Sequence, residues 1–233
     1  MVGAVIGYVF KGITHKFSDI VLSFAAGVSF AAAVLGLILP SLEYGGVHGI
    51  LITTAGIFSG ALCVNFLERA MPWAHKIAGV NKQNGGGRVD KILLFVMAIA
   101  IHNLPEGVAA GVGFGSGDTS VGVMIALGIA IQNIPEGMVI IGPMLSVGIP
   151  RRRTLLCALA TGVVEVVGTV LGYFAVTVAH IILPYSLAFA GGTMLYVVSH
   201  DMIPETHADG NARASTYSLL GGFCLMLLFN ELL

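Results

Sequence analysis

The sequence predicts an all-α membrane protein, an eight-helix transmembrane bundle with two Pro-broken central helices and both termini extracytoplasmic. Composition is the first reason: 56% of the residues are hydrophobic and only 10% charged, with a mean hydropathy of +0.93, whereas soluble domains carry about 25% charged residues. The second is a series of apolar stretches divided by short polar breaks, and the third a sorting of the basic residues into alternate breaks. A net charge of −1 leaves no basic excess for a nucleic-acid partner.

The stretches fall near residues 1–10, 20–41, 47–70, 91–115, 119–145, 154–180, 184–203 and 213–233, with a cytoplasmic loop at 71–90. A crossing takes about 20 apolar residues, so eight spans and short loops use up the 233 residues as a single membrane domain. Runs this apolar do not alternate residue by residue as barrel strands do, so their backbone must satisfy itself as helices. Span one is short, with only ten residues ahead of Lys11. It lacks the basic start and small-residue cleavage site of a signal peptide.

Orientation follows from the loops, because cytoplasmic ones hold the excess of Lys and Arg. Lys11 and Lys16 lie between spans one and two, and Arg69, Lys76, Lys82, Arg88 and Lys91 between three and four. Arg151, Arg152 and Arg153 lie between five and six, and Arg213 between seven and eight. Those are all 11 basic residues, and the other loops hold none. Cys63, Cys157 and Cys224 sit in apolar runs without CxxC spacing, which argues against both a disulfide framework and a thiolate metal site.

Spans four and five carry a repeated motif, His102-Asn103-Leu104-Pro105-Glu106-Gly107 and Gln132-Asn133-Ile134-Pro135-Glu136-Gly137. Counted from Lys91 and Thr119 at about 1.5 Å per residue, the motifs start roughly 16 to 20 Å deep, near mid-membrane. Residues four apart share a helix face, which pairs His102 with Glu106 and Gln132 with Glu136. Each proline deprives the carbonyl of Ile101 or Ile131 of its donor and favours a kink. Freed carbonyls in an interrupted span are a recurring cation-site device. Glu165 in span six reaches similar depth.

An ionised carboxylate at that depth costs at least about 2.5 to 3.5 kcal/mol, and no Lys or Arg lies deep enough to neutralise these three. Protons or a bound cation must balance them. Imidazole, carboxylate and amide oxygen suit Zn²⁺ and also tolerate Fe²⁺, Mn²⁺, Co²⁺ or Cd²⁺. Bridging carboxylates allow a pair of metals, with His102, Glu106, Gln132 and Glu136 around one and Asn103, Asn133, Glu136 and Glu165 around the other. His200, Asp201 and Glu205, at the cytoplasmic end of span seven, form a candidate exit site.

The function these residues support is transport of a divalent metal, zinc first, as bound substrate rather than prosthetic group. A proton-coupled carrier of another substrate would use the carboxylates as relays but give the His-x-x-x-Glu pairing no purpose. An intramembrane metalloenzyme is weaker still, since the HExxH signature of zincins is missing.

The paired signatures HNLPEG and QNIPEG, Glu165 beyond them, the second-span run FAAGVSFAAAVLGLILPSLE and the seventh-span run GGTMLYVVSHDMIPETH resemble the ZIP metal transporters, and within them the bacterial GufA-like branch. That resemblance covers nearly the whole chain. It implies eight helices with outside termini, a multi-pass protein of the plasma (inner) membrane, a binuclear midplane site and zinc uptake toward the cytoplasm. It also implies a homodimer and elevator-like sliding of spans one, four, five and six. The family's loop between spans three and four is often His-rich, whereas here it offers only His75.

Overall fold

The computed structural model describes residues 3, 4, 6, 15–77, 87–146, 148–178, 180–208 and 210–232, and these are helical apart from short connections. Helix α1 (His15–Ala31) runs through a π-helical stretch, Ala32–Ile38, into α2 (Leu39–Tyr44). Then come α3 (Gly49–Ile77), α4 (Gly87–Gly115), α5 (Thr119–Ser146) and α6 (Arg151–Val178). Helix α7 (Leu183–Val197) passes through a second π stretch, Val198–Met202, into α8 (Ile203–His207), and α9 (Ala212–Leu232) closes the chain. Among the described residues five stretches are long and apolar enough to cross a membrane: Lys16–Tyr44, Gly46–Leu67, Thr119–Met138, Arg151–Val178 and Ala212–Leu232. Helices α4 and α7 occupy the positions expected of spans four and seven. Span one, apart from Gly3, Ala4 and Ile6, lies outside the described residues, as does 78–86 of the expected loop.

The prolines act where the motif reading does not expect them to. Helical structure continues through Pro105 in α4 and through Pro135 in α5, so neither central helix ends at its proline. The wide turns precede Pro40 and Pro204 instead. There the Leu39 N–H bonds to the Val34 carbonyl and the Ile203 N–H to the Val198 carbonyl, each five residues back. A proline ring crowds the carbonyl four residues before it and offers no donor, and a π turn relieves both problems by moving that carbonyl outward.

Glycines set which helices lock together. A Cβ on Gly107 or Gly111 of α4 would strike the backbone carbonyl of Glu165 or Thr169, and one on Gly168 or Gly172 of α6 that of Leu104 or Val108. Only hydrogen at these four positions lets α4 and α6 approach backbone to backbone, the small-xxx-small device of membrane helices. Helix α3 packs on α7 and α1 on α9 by similar close approaches. Helix α5 meets the first π stretch through side chains, with Met124 and Ile125 against Gly36.

The burial pattern is inverted relative to a water-soluble protein. Phe58, Leu62 and Phe66 of α3 and Val163, Val166, Val170 and Phe174 of α6 face outward, while Asp19, Ser29, Asn103, Glu106, Gln132 and Glu136 are buried. Hydrocarbon does not penalise exposed apolar side chains, so such a surface is stable in a bilayer; in water it would be an association patch.

Candidate metal site

The polar residues of α4, α5 and α6 converge inside the bundle. Close packing of Gly107 and Gly168 fixes the height of α6 against α4, and so sets Glu165 beside the first motif. Asn103 and Glu106 on α4 are buried, as are Gln132 and Glu136 on α5, with Gln132 fully so. Asn133 and Glu165 are half-buried.

Two amide–carboxylate pairs form across helices. Gln132 Nε2 donates to Glu106 Oε1. Asn133 Nδ2 donates to both carboxylate oxygens of Glu165, at 2.9 and 2.8 Å. Glu106 Oε2 and Asn103 Oδ1 are buried and, among the described residues, without a hydrogen-bond partner. Leaving a buried acceptor unsatisfied costs about 1–3 kcal/mol, so oxygens of this kind mark a place where another group is wanted. Of the expected ligands, the side chain of His102 lies outside the described residues. Among the described residues no three His, Cys, Asp or Glu side chains stand close enough together to hold a metal ion. The converging groups are therefore carboxylates joined by amides.

A narrow cleft lined by Ser29, Pro105, Glu106, Met194, Val198 and Met202 opens from Glu106 toward the π turn of span seven. That turn carries His200 and Asp201, and α8 carries Glu205. The His200 ring lies 5.1 Å from the Tyr196 ring, and the Tyr196 hydroxyl accepts a 2.8 Å hydrogen bond from Asn65 Nδ2 on α3. His200 and Glu205 are exposed and Asp201 half-buried, at a helix end rather than in one pocket. Cys63, Cys157 and Cys224 are free thiols.

Two polar contacts carry no sequence signal. Ser29 Oγ on α1 donates to Gln132 Oε1, and buried Asp19 accepts a 2.9 Å hydrogen bond from Asn211. A lone serine in an Ala- and Gly-rich run reads as a small packing residue until its neighbour across the helix interface is known.

A family model described as ZIP zinc transporter matches residues 80–230. The chain is 40% identical over 88% of its length to the zinc transporter GufA of Myxococcus xanthus, covering 81% of that protein. It is 35% identical over 99% of its length to the zinc transporter ZIPB of Bordetella bronchiseptica, covering 76% of it. Similarity to the human zinc transporter ZIP11 is 42% over 62% of this chain and 44% of the human one.

Proposed function

The chain belongs to the ZIP family, an integral multi-pass membrane transporter and not an enzyme, and from that premise we propose that it imports divalent metal, zinc first, toward the cytoplasm through the carboxylate–amide site. One observation carries the proposal. Glu106, Glu136 and Glu165 lie well inside α4, α5 and α6, two of them tied across helices by amides, and no Lys or Arg stands between residues 92 and 150 or between 154 and 212. Their charge calls for a mobile cation, and zinc is what the relatives are named for.

In this proposal His102, Glu106, Gln132 and Glu136 replace the water around one ion. Asn103, Asn133 and Glu165, with Glu136 shared, form a second position, so the site is binuclear. Nitrogen and oxygen donors without thiolate suit zinc and leave Fe²⁺, Mn²⁺, Co²⁺ and Cd²⁺ as competitors. The ion leaves by the cleft beneath Glu106 and is handed to His200, Asp201 and Glu205. Eight spans with both termini outside, a homodimer, and sliding of spans one, four, five and six complete the proposal.

Metal-resolved mass spectrometry on the purified protein, followed by zinc uptake into vesicles, tests it directly. The expected result is one to two equivalents of transition metal in the wild type, lost together with uptake in His102→Ala/Glu136→Ala. Wild-type protein that is metal-free and moves no zinc would overturn the proposal and favour a proton-coupled carrier.

A further inference from the structure

Ser29 is the only polar side chain between Ser23 and Ser41 in the second span, and it is 2% exposed. Its hydroxyl donates to Gln132 Oε1, and Gln132 Nε2 donates in turn to Glu106 Oε1. A relay of hydroxyl, amide and carboxylate thus enters the site from α1, which is not one of the helices supplying the proposed ligands.

The orientation of the amide matters. Gln132 turns an N–H toward Glu106, and an N–H cannot bind a cation; it also fills a lone pair that a cation on Glu106 would use. Loading the site requires the amide to turn over, bringing Oε1 to the cation and Nε2 toward Ser29. A hydroxyl suits both states, because it donates to Oε1 in one and accepts from Nε2 in the other. The amide is fully buried, so an unpaired end would carry a desolvation cost in either state. Ser29 also lines the cleft beside Glu106, where the turnover would occur.

We infer that Ser29 is a positioning residue that keeps Gln132 hydrogen-bonded through this turnover and so acts as the pivot between the cation-free and cation-loaded site. The inference rests on the proposed transport function. Removal of the hydroxyl falls harder on the loaded state. There it orphans the amide N–H₂ group, whereas the free state is left only with an under-satisfied carbonyl oxygen, the lesser cost.

The test is zinc binding to purified full-length protein and zinc uptake in vesicles, for wild type, Ser29→Ala, Ser29→Thr, Gln132→Ala and the Ser29→Ala/Gln132→Ala double variant. Ser29→Ala should raise the half-saturating zinc concentration roughly three- to fivefold, because both states lose a hydrogen bond and only the difference in cost is read, and lower the maximal rate far less. Ser29→Thr, which keeps the hydroxyl, should stay within about twofold of wild type. Because Ser29 acts through Gln132, the double variant should match Gln132→Ala alone. If the extra methyl of threonine disturbs packing, the cycle of alanine variants still decides. Additive losses in the double variant, or a Ser29→Ala protein with wild-type half-saturation, would overturn the inference alone. A wild type that neither binds nor moves zinc would overturn it together with the transport proposal.

Discussion

Glu106 concentrates the conflict at the residue scale: a carboxylate inside a bundle, held on one oxygen by an amide and left without a described partner on the other. Removing its charge while keeping its shape separates stability from function. Glu106→Gln should melt no lower than wild type, since a buried charge is costly to maintain. Its zinc content by mass spectrometry should nevertheless fall more than about tenfold, the scale of loss typical even for groups one step removed from a metal. Acid should act in the same direction. Imidazole and carboxylate bind metal only when deprotonated, so zinc uptake should decline as the outside pH falls from about 7.5 to about 5.5, and a flat profile would count against the ligand set. At this scale the sequence discloses the charged members readily, because Glu106, Glu136 and Glu165 stand out in apolar runs. It also groups Asn133 with Glu165, which the structure joins by hydrogen bonds, but it does not disclose Ser29, whose pairing with Gln132 is made between helices 103 positions apart.

Among the elements, Pro40, Pro105, Pro135 and Pro204 are instructive because their local chemistry is nearly the same. Leu39-Pro40 and Ile203-Pro204 lie just past π turns, whereas Leu104-Pro105 and Ile134-Pro135 lie in helices that continue. One leucine and one isoleucine precede the prolines in each pair, so no local rule separates the outcomes; the packing around each turn must. Helix positions are legible from apolar length alone, and most of the expected spans coincide with helices to within a few residues. The shape of each turn is not legible in that way. The glycines of α6 give a sharper test of packing between elements. Gly168 faces the Leu104 carbonyl at a distance no Cβ tolerates, whereas a Cβ on Gly162, six residues earlier, would meet nothing within 4 Å. Gly162→Ala should therefore be neutral or slightly stabilising through helix propensity. Gly168→Ala should lose about 1–3 kcal/mol by forcing α4 and α6 apart, read as a lower melting temperature in detergent. Equal behaviour of the two variants would mean that α4 and α6 are not held by backbone contact.

For the whole molecule, polarity is arranged in two directions at once. Across the bundle, apolar side chains face outward and carboxylates inward; along the membrane normal, all 11 Lys and Arg residues fall in alternate breaks. The first arrangement needed the folded structure to be seen, while the second is legible in the sequence because loop charge is independent of tertiary contact. Together they predict where each connection lies. In a chain freed of Cys63, Cys157 and Cys224, a cysteine at Val47, which is 97% exposed, should react in intact cells with a membrane-impermeant maleimide. A cysteine at Arg152 should react only after permeabilisation if the loop-charge rule, which assigns the arginine triplet to the cytoplasmic side, sets the orientation. An epitope tag at the N-terminus tests span one separately. It should be accessible from outside if the short first stretch crosses, since Lys11 and Lys16 then lie inside. An inaccessible tag, with Val47→Cys still labelled from outside, would reduce the bundle to seven crossings and remove span one from the group that moves with the metal.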